Sequence, residues 1–108
     1  MPGKDIRRDE RIPCTLRVRL SWTDERGAER YAQGKCRDIS ADGLRVETIE
    51  TIPAQSYVNV RVDKTDVAGS ARVRYLRRSV IGNVIGLELS HKVRRQLLDA
   101  LRETPAGS

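Results

Sequence analysis

The chain has 108 residues, enough for one domain with a single modest core and too few for two. Twenty-one Lys and Arg against fifteen Asp and Glu give a net charge of +6 and a pI near 9.9, a balance that favours anionic partners. No run approaches the roughly 18 apolar residues of a membrane-spanning helix, and the polar N-terminus lacks the apolar region of a signal peptide, so a cytoplasmic protein without membrane insertion is expected.

Residues 1–11, MPGKDIRRDER, are polar and carry no core anchor apart from Ile6, which predicts a flexible arm. From Ile12 the run IPCTLRVRLSW puts Ile12, Cys14, Leu16, Val18 and Leu20 on one face and Thr15, Arg17, Arg19 and Ser21 on the other, a half-buried strand. TDERGAER, with Gly27 among charges, reads as a turn, and YAQGKCR returns antiparallel. RDISADG then leads to LRVETI, where Leu44 and Val46 share a side, and the link ETIPAQS leads to YVNVRVD, with Val58, Val60 and Val62 on one face. KTDVAG supplies a turn, and SARVRYL places Ala71, Val73 and Tyr75 in register. In VIGNVIGLELS, Gly82 and Gly86 mark a bend or bulge in the last strand.

Beyond Ser90, a candidate N-cap, Val93, Leu97, Leu98 and Leu101 recur at helical spacing. Residues 104–108 read as a disordered tail. Short strands with frequent turns and no helix between them favour a closed antiparallel arrangement over a βαβ one. The expected fold is therefore all-β, a six-stranded antiparallel barrel over residues 12–103 with one C-terminal α-helix.

The chemistry-bearing residues argue against an enzyme. The one histidine, His91, stands at a helix start without a Ser or Cys nucleophile in a suitable context, and no HExxH, P-loop or nucleophile elbow is present. Cys14 and Cys36 show no CxxC and no neighbouring histidine, so they read as buried thiols rather than zinc ligands. Neither a metal nor a cofactor is expected.

Two stretches suit binding. Arg7 and Arg11 stand four apart with Arg8 beside the first, and guanidinium groups offer forked donors for phosphate or guanine and a flat face for a purine. In RDISADG, Asp38 and Ser40 are expected to project from a connection at the barrel's end, and Gly43 permits positive φ or a close backbone approach. An ionised Asp38 only accepts hydrogen bonds, so its natural partner is a donor edge such as the N1 and N2 hydrogens of guanine. Taken singly, each stretch has an ordinary alternative: a solvated arginine run, and an Asx or Ser turn.

Together, RxxxR at Arg7 and Arg11 and DxSxxG at Asp38, Ser40 and Gly43 resemble the signature pair of PilZ domains, and the likeness extends through SARVRYL and NVIGLELS from about Ile6 to Leu101. The resemblance implies a receptor for the second messenger cyclic di-GMP. By that analogy Arg7 and Arg11, with Arg8 as an additional contact, would hold phosphates and guanine, Asp38 and Ser40 would bind the other side, and Gly43 would shape the turn. Ligand would order the arm over the barrel, and an unidentified downstream protein would receive the signal. Ile6 stands where many members have another arginine, which favours one ligand per site, and Tyr75 stands where many have tryptophan. Two alternatives remain at this point: a PilZ-like module that acts through protein contacts alone, and a basic barrel that binds single-stranded nucleic acid. The latter would have only Trp22, Tyr31, Tyr57 and Tyr75 for stacking, and the two acids in RDISADG argue against it.

Overall fold

A computed structural model describes residues 11–80 and 82–103. Its elements are β1 (Arg11–Pro13), β2 (Arg17–Thr23), β3 (Glu29–Ser40), β4 (Gly43–Thr48), β5 (Tyr57–Val62), β6 (Ala68–Ser79), β7 (Gly82–Leu89) and α1 (His91–Glu103). The hydrogen-bonded order is β1-β3-β2-β5-β6-β7-β4, and a further pairing of β3 with β4 closes the sheet. Strands β2 to β7 thus form the expected six-stranded antiparallel barrel, each pairing with two neighbours within it, and among the described residues β1 adds to it through β3 alone.

The alternating apolar residues fill its interior. Val18, Leu20, Val46, Val58, Val62, Val73, Ile85 and Leu87 are all buried, each contributing about 1.5–3 kcal/mol relative to exposure. Ile52, from the β4–β5 link, and Leu97, from α1, complete the core from outside the strands. Ser90 caps α1 as expected, its hydroxyl accepting from the Val93 amide at 3.1 Å. The β2–β3 turn also follows the sequence: the Asp24 carboxylate accepts from the Arg26 and Ala28 amides, both at 2.9 Å, and Gly27 has φ of +82°.

The first predicted strand is interrupted. Both β1 and β2 pair with β3, but Pro13 faces Asp38 whereas Arg17 faces Lys35, so one extra residue is absorbed between Cys14 and Leu16. Pro13 has no amide hydrogen with which to continue a regular ladder. Arg11, assigned from sequence to the arm, is the first residue of β1 and lies opposite Ser40. Arg7 and Arg8 lie outside the described residues.

A second difference concerns RDISADG. Asp38 and Ser40 do not project from a connection but belong to β3, whose turn into β4 is only Ala41–Asp42. The Ser40 hydroxyl accepts from the Asp42 amide at 3.3 Å and so fastens that turn. Gly43 opens β4 against β7, where a Cβ would lie 1.9 Å from the Leu87 carbonyl oxygen. Because that neighbour is backbone in a closed barrel, Gly43→Ala is expected to destabilise the protein by at least about 2 kcal/mol. Urea denaturation followed by Trp22 fluorescence measures this, and an unchanged midpoint would refute the close-approach account.

Candidate functional site

Asp38 should face the core if strict alternation continued from buried Cys36. It does not, because the β3–β4 register slips between Cys36, opposite Val46, and Asp38, opposite Arg45. The extra residue, Arg37, makes a bulge that turns Asp38 to the outer face and puts Ile39, fully buried, inside. The same device recurs on β6. Val73 pairs with Leu87 but Tyr75 pairs with Gly86, so Arg74 is the extra residue and Tyr75 leaves the core face on which sequence alternation placed it.

The two bulges align four residues across neighbouring strands. Asp38 on β3 faces Arg45 on β4, Arg45 faces Gly86 on β7, and Gly86 faces Tyr75 on β6. Lacking a side chain, Gly86 lets the Tyr75 ring lie across β7: a Cβ there would stand 2.2 Å from the ring. The Arg77 guanidinium covers that ring at 4.8 Å from its centroid.

Arg45 holds Asp38 at both oxygens. Its Nε donates to Oδ1 at 2.8 Å and its Nη2 donates to Oδ2, a bidentate pair with only 11% of the aspartate side chain exposed. Arg11 approaches Oδ1 with its Nη1 at 3.6 Å. These contacts hold the Asp38 carboxyl below its ordinary range, chiefly through the Arg45 hydrogen bond, against the opposing effect of burial, and with further help from the charges of Arg45, Arg11 and Arg37. Asp38 in turn raises the pKa of Arg45, with a smaller contribution from Tyr75. A second link crosses the same patch, from Arg74 Nη1 to Asp42 Oδ2 at 3.8 Å.

Of the residues singled out in the sequence, Arg11, Asp38 and Ser40 come together, and Gly43 sits beside them as a backbone contact. Arg45 was missed. Alternation in LRVE does place it outward, but its partner depends on the Arg37 bulge, for which the sequence has no marker. The patch combines an ionised acceptor with Arg11, Arg37, Arg45, Arg74 and Arg77, so it can attract an anion and also accept from a donor edge.

Cys14 and Cys36 are buried, and folding brings them side by side. The neighbouring Cys36 thiol holds Cys14 below its usual thiol range, and the same contact, with burial, pushes Cys36 up. No group of three or more metal-ligating side chains occurs among the described residues.

The PilZ domain family model matches residues 5–103, nearly the whole chain. The chain belongs to the PilZ domain family. A comparison with curated proteins finds no match. Among the described residues, no helix of this PilZ domain is long and apolar enough to cross a membrane.

Arg45→Met tests the electrostatic account. The Asp38 pKa should rise, read from its carboxyl carbon shift in an NMR titration, and stability at neutral pH should fall by about 1–3 kcal/mol. Because folding depresses this pKa, the stabilisation is fully present above the ordinary value of 3.8 and is lost as pH falls through the lower native value. The stability curves of parent and variant should therefore converge in acid, and an unmoved Asp38 titration would contradict the assignment.

Proposed function

We propose that this PilZ domain is a receptor for cyclic di-GMP and acts as an adaptor. The observation that carries the reading is the position of Arg11, last residue of RxxxR, at 3.6 Å from Asp38, first residue of DxSxxG. An acceptor held ionised beside several guanidinium groups suits a ligand that has both phosphodiester charges and guanine donor edges. Asp38 and Ser40 take the guanine side, Arg7, Arg8 and Arg11 take the phosphates and stack, and Gly43 keeps the backbone close. Ligand draws the segment that carries Arg7 and Arg8 onto the barrel beside Asp38, which changes the surface offered to a downstream protein. The ordering entropy is offset by the charge-assisted contacts. No catalytic step is part of this reading.

One observation favours a second reading, a PilZ module that works through protein contacts alone: Arg45 already engages both Asp38 oxygens. In the first reading the remaining lone pairs of the carboxylate, or displacement of Arg45, accommodate the base.

Calorimetric titration with cyclic di-GMP separates the two. One ligand per chain is expected, with Arg11→Ala and Asp38→Ala each weakening affinity by about tenfold or more, the loss of a charge-assisted contact. No heat from the folded parent at micromolar concentration would leave the second reading standing. Loss in Arg11→Ala alone would indicate a simple phosphate clamp.

A further inference from the structure

A groove of about 830 Å³ runs over the outer face of β2, β3 and β4, among Thr15, Arg17, Lys35, Glu47, Ile49 and Lys64. Its size falls within the range of about 300–1,000 Å³ typical of sites that enclose a compact ligand group. It adjoins the Asp38 patch and is distinct from it, since Lys35 faces Glu47 in the same β3–β4 ladder in which Asp38 faces Arg45.

The charges lining it are unevenly satisfied. Glu47 is engaged by Arg37 at 3.7 Å and Asp63 by Arg19 at 3.2 Å, and neither arginine lines the groove. Arg17, Lys35 and Lys64 have no side-chain hydrogen bond or ion pair with any of the described residues. Among the described residues, the groove's acids are thus engaged from outside it while its three cations have no side-chain partner. At its rim Ile49 is 79% exposed, the large apolar side chain of the lining that faces water.

From this arrangement we propose that the groove docks an acidic segment of a partner protein, its carboxylates meeting Arg17, Lys35 and Lys64 and one apolar side chain covering Ile49. Nucleic acid fits less well. The lining has no aromatic residue on which a base could stack, and Glu47 and Asp63 would face its phosphates. The proposal does not rest on the cyclic di-GMP reading, although Arg37 connects the two surfaces by pairing with Glu47 and by acting on Asp38.

The test is an NMR titration of the full ¹⁵N-labelled chain with a short synthetic peptide of aspartates and glutamates around a central leucine. A lysine-substituted peptide and a single-stranded oligonucleotide are run at the same salt. Amide shifts are expected at residues 15–17, 33–35, 47–49 and 63–64 with the acidic peptide only. The double variant Lys35→Glu, Lys64→Glu should weaken binding by about tenfold or more, whereas Lys92→Glu on α1 should leave it unchanged. Spectral dispersion in the same experiment reports that each variant is folded. Absent or scattered shifts, equal shifts with the oligonucleotide, or indifference to the double reversal would each overturn the proposal. None of these results depends on whether cyclic di-GMP binds.

Discussion

The candidate site depends on an ion pair that a regular barrel could not make. Two ideal antiparallel strands that continued from the Cys36–Val46 pairing would bury Asp38 beside the core valines, where an unpaired carboxylate costs several kcal/mol. The extra residue at Arg37 removes that conflict and delivers the carboxylate to Arg45 on the outer face. At Arg74 the corresponding extra residue brings Tyr75 to the same level. Each bulge disrupts the ladder locally, and each inserted residue is an arginine that finds an acid on β4 or in the β3–β4 turn: Arg37 meets Glu47 and Arg74 meets Asp42. The local interruptions and the ionic patch are therefore parts of one arrangement.

Much of the fold was legible because its burial follows period two. Val18 and Leu20, Val58 to Val62, and Leu87 and Leu89 alternate without exception and all lie inside. The helix was legible for a comparable reason, since the Ser90 cap and the spacing from Val93 to Leu101 are local signals. Tyr75 was misplaced, and Asp38 was assigned to a loop, because a bulge is fixed by the partner strand as much as by its own residues. Neither RDIS nor VRYL contains a glycine to announce one.

The site divides along the same line. Arg11, Asp38, Ser40 and Gly43 belong to spaced motifs and could be picked out in order along the chain. Arg45 acquires its role only when β3 and β4 are laid side by side, and the neighbouring groove draws residues from β2, β3, β4 and the β5–β6 turn. No linear pattern joins Arg17, Lys35 and Lys64. Their shared feature is a groove whose lining acids, Glu47 and Asp63, are engaged by arginines outside it.

Strand β1 has a thermodynamic consequence of its own. It contributes three residues against the twelve of β3, carries one half-buried side chain, Ile12, and is joined to the barrel through an irregular step. Such an element opens locally at a free energy well below that of global unfolding. The Arg11 guanidinium therefore stays beside Asp38 only while β1 is zipped, so the apparent affinity for any ligand needing both is the intrinsic affinity scaled by the zipped fraction. Changes at Ile12 or Pro13 would then shift that zipped fraction while leaving the side chains of the Asp38 patch as they are.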